Sequence, residues 1–169
     1  MSYLVNPYMV SPAAGVARGV FGGGELSSGR SNVMDYIEIQ TTSNATDFGD
    51  LTLARGDVAG VSDKSRGVFG GGNADPPISN VMDYITIATA ADAADFGDLT
   101  VARYSLAGVA SDTRGCFAGG YTGSKSNVID YITIATAADA ADFGDLTSAR
   151  NGVCGVSNLT RGCFAGGET

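Results

Sequence analysis

Pairs of aspartates recur three times along the chain, and their type and spacing make them the residues best suited to bind a metal ion. Each pair lies in the segment Asp-Phe-Gly-Asp-Leu-Thr, which places its two carboxylates three positions apart. Calcium prefers several oxygen ligands, and such a pair would supply them. In the interpretation that we favour, these aspartates instead cap turns and pair with arginines that recur in the same register. The pairs are Asp47/Asp50, Asp95/Asp98 and Asp142/Asp145.

Two other patterns resemble reactive motifs, but neither has the partners that its chemistry needs. The Asp-Phe-Gly triplet matches the metal-binding triplet of protein kinases, yet it recurs, and the kinase glycine loop, lysine and catalytic loop are missing. The glycines Gly22–Gly24 are followed by no helix and no lysine at the spacing of a phosphate-binding loop. The chain contains no histidine, and no serine has a visible base and orienting acid. The sequence predicts no enzyme activity, no cofactor and no metal.

The composition limits the classes of protein to which the chain can belong. With 169 residues, of which 44% are hydrophobic, it is expected to form a single repeat domain over residues 1–169. A formal net charge of −8 argues against binding to nucleic acid or to an anionic membrane. The sequence has no basic leader before an apolar stretch and no run of about 18 apolar residues. We therefore expect a soluble protein made in a cytoplasm, with no signal peptide and no transmembrane segment.

The three cysteines form no disulfide or zinc-binding framework. Their number is odd, and no histidine is present to complete a metal site. Cys116 and Cys163 occupy a position at which earlier copies of a repeat have Val20 and Val68. Because they exchange with valine, we expect them to be small buried hydrophobic residues.

A glycine-rich heptapeptide divides the sequence into copies of one unit. It occurs four times, at offsets of 48, 48 and 47 residues, which is the range of repeats that each form one supersecondary unit. We place the copies at about 14–56, 57–104 and 105–151, with a partial copy at 152–169 and an N-terminal segment at 1–13. The heptapeptides are Arg18–Gly24, Arg66–Gly72, Arg114–Gly120 and Arg161–Gly167.

Each copy is predicted to contain four short β-strands. In the second copy, a small apolar strand ends the segment 53–62, and further strands span 66–71, 80–88 and 95–100. The alanine-rich stretch 88–94 is predicted to connect two strands, because the first copy has a polar turn sequence at the same place.

The third strand of the second copy is apolar on both faces. Alternation places Asp83, Ile85 and Ile87 on one face and Met82 and Tyr84 on the other. Neighbouring copies must therefore cover this sheet on both sides. We expect Asp83 and its equivalents to hydrogen bond within a turn or to a neighbouring copy.

The order of these signals resembles the kelch repeat of β-propellers, from about residue 14 to residue 169. In kelch repeats a glycine pair ends the second strand, a tyrosine lies in the third and a tryptophan usually opens the fourth. This chain has phenylalanine at the tryptophan position, which keeps an aromatic residue for packing between repeats. The matching residues are Gly23-Gly24, Gly71-Gly72, Gly119-Gly120 and Gly166-Gly167, then Tyr36, Tyr84 and Tyr131, then Phe48, Phe96 and Phe143.

The kelch resemblance implies an all-β, propeller-like array of about 3.5 four-stranded repeats of 47–48 residues. Two ways of completing the array remain open. Tyr3–Val5 would pair with the final half repeat and close a small four-bladed ring, or another subunit would cover the open edge. The second alternative predicts self-association.

The nearly verbatim segments Asp-Tyr-Ile-Thr-Ile-Ala-Thr and Asp-Phe-Gly-Asp-Leu-Thr are also similar to repeat arrays in tail-fibre and other virion proteins of phages. That resemblance implies a non-catalytic structural or adhesion component of a phage particle, located in the virion, such as a tail-fibre or decoration protein. Its partners would be other virion or assembly subunits, further copies of itself, or a host-surface glycan. The alternative is a soluble, lectin-like propeller that binds carbohydrate.

The copies differ most in the segments that follow the glycines, at 25–31, 73–79 and 121–126, which we predict to be loops. Variation on a constant frame is how scaffolds diversify their contacts, and neutral change in an exposed loop is the alternative. The candidate partner-binding residues are Glu25, Arg30, Asn73, Asp75, Tyr121, Thr122 and Lys125.

Overall fold

The computed structural model describes residues 17–74 and 76–169, and every regular element within these ranges is a β-strand. The all-β prediction is therefore confirmed. The closing strand predicted at Tyr3–Val5 and the candidate residue Asp75 lie outside the described residues. The strands are β1 (Arg18–Leu26), β2 (Gly29–Glu38), β3 (Thr46–Asp50), β4 (Ala59–Ser62), β5 (Arg66–Gly70), β6 (Val81–Thr86), β7 (Ala94–Asp98), β8 (Ala107–Ala110), β9 (Arg114–Ala118), β10 (Val128–Thr133), β11 (Ala141–Asp145), β12 (Cys154–Ser157) and β13 (Gly162–Ala165).

These strands form four antiparallel sheets, which follow one another along the chain. Sheet 1 has the order β1-β2-β3, sheet 2 the order β4-β5-β6-β7, and sheet 3 the order β8-β9-β10-β11. Sheet 4 consists of β12 and β13. The four strands predicted for the second copy are confirmed as β4 to β7, and the stretch 88–94 connects β6 to β7 without a helix.

The Asp-Phe-Gly segment forms a β-bulge. In sheet 2, Met82 is opposite Gly97 and Asp83 is opposite Asp95, so Phe96 has no partner in the register. The extra residue turns the Phe96 side chain into the core, where it is 2% exposed. Sheets 1 and 3 have the same register shift, which explains why this triplet recurs.

Two apolar clusters hold neighbouring sheets together. Between sheets 1 and 2, Phe48 of β3 packs in one cluster with Ile85 of β6. Between sheets 2 and 3, Met82 of β6 and Phe96 of β7 pack in a second cluster with Ile132 of β10. Strand β6 therefore contributes to both clusters from its two faces, and the prediction that this sheet is covered on both sides is confirmed.

The first strands of successive copies lie side by side, because β4 contacts β8 and β8 contacts β12. Glycine is required where these strands meet. A Cβ on Gly108 would be 2.3 Å from the carbonyl oxygen of Gly60, and one on Gly155 would be 2.4 Å from that of Gly108. The recurring Gly in these strands thus permits a close approach between backbones.

The first copy differs from the others in the segment that follows the glycines. Residues 25–31 were predicted to form a loop, but β1 and β2 continue into a hairpin in which Glu25 is opposite Arg30 and Leu26 is opposite Gly29. The prediction is wrong here because Ser27 and Ser28 form a tight turn that extends the pairing beyond the glycines.

Candidate interaction surface

A buried ion pair joins sheet 1 to sheet 2. Arg55 lies in the connection that follows β3, and its Nη2 is 2.8 Å from Oδ2 of Asp83 in β6, with both side chains completely buried. Thr52 donates a hydrogen bond to Oδ1 of Asp83, and Arg55 Nη2 is 3.4 Å from the carbonyl oxygen of Phe69. The prediction that Asp83 bonds to a neighbouring copy is confirmed.

The same arrangement joins sheet 2 to sheet 3. Arg103 Nη2 is 3.0 Å from Oδ2 of Asp130, again with both side chains completely buried. Thr100 donates to this carboxylate from its hydroxyl at 2.5 Å and from its backbone N–H at 3.2 Å. The pKa of Arg103 lies below its ordinary value because burial disfavours the charged form, and Asp130 opposes this effect by Coulombic attraction and a hydrogen bond.

A second set of arginines also links neighbouring sheets. The guanidinium carbon of Arg66 lies 4.3 Å from the ring centroid of Tyr84, and its Nη1 donates to the carbonyl oxygen of Ile134 at 3.2 Å. Arg18 lies 4.6 Å from the ring centroid of Tyr36 and donates to Ile87 at 3.1 Å in the same way. Each arginine thus combines a cation–π contact within its own sheet with a hydrogen bond to the next.

The paired aspartates do not pair with the recurring arginines, so that part of the sequence-based interpretation is wrong. The bulge leaves Asp95 and Asp98 exposed, whereas Arg103 enters the interface from the connection and meets Asp130. Asp98 contributes its backbone instead, since its N–H donates to Oδ1 of Asp139 at 3.0 Å and its carbonyl accepts from Ala140 at 2.8 Å. Within residues 17–74 and 76–169, no three His, Cys, Asp or Glu side chains converge as metal ligands would.

The outward face of sheet 3, which is the face turned away from sheet 2, carries the residues of one half of this interface but does not meet the other half. Phe143 is equivalent to Phe48 and Phe96, yet it is 54% exposed, whereas the other two are 2% exposed. Arg150 is equivalent to Arg55 and Arg103, but it is only half-buried and donates to the carbonyl oxygen of Gly166 at 3.1 Å. Sheet 4 covers the part of this face near β8 and leaves the part near β11 open.

The cysteines reflect the same incomplete interface. Cys116 is half-buried and Cys163 is exposed, so the expectation of full burial is wrong for both. The valine at the equivalent position in sheet 2, Val68, is 0% exposed because sheet 3 covers it. All three cysteines are free thiols.

The variable segments of the first two copies contact each other. Arg30 Nη1 is 3.2 Å from Oε1 of Glu25 in its own hairpin, and Arg30 Nε donates to the carbonyl oxygen of Asn73 at 3.2 Å. Asn73 also forms an isolated backbone bridge with Gly56 in the connection between the copies. The structure therefore brings three of the predicted partner-binding residues together.

The variable segment of the third copy lies on an equivalent backbone bridge. Tyr121 pairs with Tyr104 of the preceding connection, and the two ring centroids are 5.5 Å apart. Thr122 donates to the carbonyl oxygen of Ser124 at 3.3 Å, and Lys125 donates to the carbonyl oxygen of Thr169 at 2.5 Å. A third bridge of this kind, between Asn151 and Glu168, joins the connection that follows β11 to the end of the fourth copy. One backbone feature therefore carries different side chains in each copy.

Sequence reasoning singled out the variable segments but missed the arginine and aspartate pairs. The signal was present, because Arg55 and Arg103 recur in register and an aspartate follows each of them in the third strand of the next copy. Spacing alone did not reveal that these two positions meet.

No helix in the described part of the chain is both long and apolar enough to cross a membrane. Comparison of the sequence with protein-family models and with characterised proteins finds no match.

Proposed function

We propose that the chain is a non-catalytic structural or adhesion component of a phage particle, which acts by protein–protein contact or by contact with the host surface. The observation that carries the proposal is the repeated interface, in which equivalent residues join sheet 1 to sheet 2 and sheet 2 to sheet 3. A scaffold of this kind is extended by repetition and holds its variable segments at fixed positions. The resemblance of the repeats to arrays in phage virion proteins is the reason that the proposal names a phage particle.

We also infer a propeller-like arrangement of the sheets, in which each sheet is one blade. Three observations support it: the first strands of neighbouring copies lie side by side, each sheet is antiparallel in chain order, and each interface repeats the same contacts. These features agree with the kelch-like order of glycine, tyrosine and phenylalanine in the sequence.

Mass spectrometry of phage particles purified on a density gradient tests the proposed function. We expect peptides of this chain to co-sediment with the capsid and tail proteins in a constant ratio to them across the particle peak. A chain that stays in the soluble fraction of the lysate would overturn the assignment to the virion.

The Tyr104 and Tyr121 pair favours a second candidate, a lectin-like propeller. Exposed aromatic rings beside polar groups suit the apolar face and the hydroxyl groups of a sugar, and both rings are partly exposed beside Thr122 and Lys125. This pair occurs on one of the three equivalent bridges, since the other two carry Gly56 with Asn73 and Asn151 with Glu168.

Glycan binding by the isolated chain distinguishes the two candidates. Replacing segment 121–126 by the first copy's segment 25–31 should abolish a saturable glycan signal if the tyrosine pair is the site. As the matched control, replacing segment 73–79 in the same way should leave the signal unchanged. The absence of any saturable binding would overturn the lectin candidate.

A further inference from the structure

We propose that two copies of this chain associate end to end, with sheet 1 of one copy stacked on sheet 3 of the other and Asp35 paired with Arg150. The inference rests on the proposed action through protein–protein contact, and it names a second copy of the chain as the partner. Its basis is that each end of the described array presents one half of an interface that the chain itself forms twice.

The outward face of sheet 3 carries the half that supplies arginine. At the internal interfaces this half consists of a buried arginine, a threonine three residues before it and a buried phenylalanine, as in Arg103, Thr100 and Phe96. On sheet 3 the same set is Arg150, Thr147 and Phe143. Phe143 is 54% exposed and Arg150 is only half-buried, so this face has apolar area and a cation that the fourth copy covers only in part.

The outward face of sheet 1 carries the half that supplies aspartate. Asp35 is equivalent to Asp83 and lies at the same place in the third strand of its copy, but it is exposed. Ile39 is equivalent to the buried Ile87, and it is 55% exposed. In the sequence, the residue 48 positions before Arg55 is Pro7 and not an arginine.

The backbone and polar contacts of the two ends also match. At the interface of sheets 2 and 3, the N–H of Asp98 donates to the Asp139 side chain, and the Asp98 carbonyl accepts from Ala140. The equivalent of Asp98 on the open face is Asp145, which is exposed. The equivalent of Asp139 on sheet 1 is Asn44, whose side-chain oxygen is also an acceptor. The two ends are therefore complementary in charge, in hydrogen bonding and in apolar surface.

Sheet 4 is accommodated in this arrangement if one of its strands is exchanged for a strand of the incoming copy. Its second strand, β13, lies in the same heptapeptide as the start of β1, with Gly-Cys-Phe-Ala in place of Gly-Val-Phe-Gly. We place β1 of the incoming copy in the position of β13, so that β12 pairs with β1 and completes a sheet in the order β12-β1-β2-β3. The four residue pairs between β12 and β13 would then be replaced by equivalent pairs between β12 and the incoming β1.

Such an interface is heterologous, because different faces of the two copies meet, and it leads to a ring or to an open chain. Light scattering coupled to size exclusion measures this directly as the mass of the purified full chain at increasing concentration. We expect a mass above that of the monomer, rising with concentration to a multiple of it. A monomer mass at every concentration would overturn the inference, and it would leave the test on phage particles unaffected.

Charge reversal tests the residues of the interface. Asp35→Arg and Arg150→Asp should each weaken association by about 100-fold or more, since each places like charges in a contact that excludes water. Asp47→Arg is the matched control for the first variant, because it makes the same charge change at a position whose equivalent, Asp95, stays exposed at the internal interface. Lys64→Asp is the control for the second, because it alters a surface pair between Lys64 and Asp112.

Mixing the two charge-reversal variants gives the sharpest result. Each variant alone joins like charges, whereas the mixture offers Arg150 to Asp35 at one junction and the reversed pair at the other. We expect association to return in the mixture. Circular dichroism of each variant establishes that it is folded. Equal weakening by the control variants, or failure of the mixture to associate when each variant is folded, would overturn the proposed pairing.

Discussion

Arg103, in the connection that follows β7, and Asp130, in β10, lie 3.0 Å apart, and neither side chain is accessible to solvent. A charged pair so placed is stabilising only while both partners are present, because each alone would be a buried and uncompensated charge. The same relationship holds between Arg55 and Asp83 one copy earlier. The folding of each copy is therefore linked to the folding of the next.

Removing one partner of this pair should strongly destabilise the protein. We expect Asp130→Ala to lower the free energy of unfolding by about 3–5 kcal/mol, since Arg103 would remain buried without a counter-charge. Urea unfolding followed by circular dichroism measures the change. Asp95→Ala, at an exposed carboxylate, is the matched control and should change stability by less than about 0.5 kcal/mol. Equal losses in the two variants would show that the ion pair is not the cause.

Replacing both partners by apolar residues should restore most of that loss. In the double variant Arg103→Met with Asp130→Leu, no buried charge is left unpaired, so we expect a stability within about 1–2 kcal/mol of the original chain. The same urea titration, combined with both single variants, gives the coupling energy. A double variant that is as unstable as Asp130→Ala would contradict the explanation by an unpaired charge.

Equivalent phenylalanines should differ in their contribution to stability. Phe96→Ala is expected to cost about 3–5 kcal/mol because it leaves a cavity between two sheets, where Phe96 is 2% exposed. Phe143→Ala, at a side chain 54% exposed, should cost less than about 1 kcal/mol under conditions in which the protein is monomeric. Thermal unfolding at low protein concentration makes the comparison. Equal effects would mean that the open face of sheet 3 is covered in the monomer.

Equivalent glycines provide a test of the contact between neighbouring sheets. Gly97 and Gly144 have φ angles of 130° and 132°, so an alanine is about equally strained at either position. A Cβ on Gly97 would lie 2.6 Å from the carbonyl carbon of Ala138, whereas nothing lies within 4 Å of one on Gly144. We expect Gly97→Ala to be less stable than Gly144→Ala by about 1–3 kcal/mol in chemical denaturation. No difference between the two would indicate that the sheets separate easily at this point.

Stability should fall at alkaline pH because of Cys116. Burial raises the pKa of its thiol in the folded state, and the nearby Arg114 opposes this only in part. The contribution is fully present below the pKa of the unfolded thiol, about 8.5, and it is lost as the pH rises through the higher pKa of the folded state. Cys116→Val should remove this component.

The measurement is the difference in Tm between the original chain and Cys116→Val at neutral and at alkaline pH, under reducing conditions. The variant should gain stability relative to the original chain as the pH rises. A difference that does not change with pH would contradict the prediction.

Local chemistry was enough to predict the strands and the need to cover both faces of each sheet. The alternation of Met82 and Tyr84 with Asp83 and Ile85 gave the two faces, since side chains of a strand alternate by geometry. The same reasoning failed for residues 25–31, because a tight turn extended the hairpin. It also failed for Cys116 and Cys163, because burial depends on whether a neighbouring sheet is present to cover the position.

The sequence by itself determined the repeated unit, its strands and the positions at which the copies differ, because these follow from periodicity and from the preferences of single residues. Only the tertiary structure decided which arginine meets which carboxylate. Arg103 does not pair with Asp95 or Asp98, which are close to it in the sequence, but with Asp130 of the next copy. The β-bulge leaves the two nearer carboxylates exposed to solvent. Contacts between copies depend on how sheets stack, and no spacing within one copy contains that information.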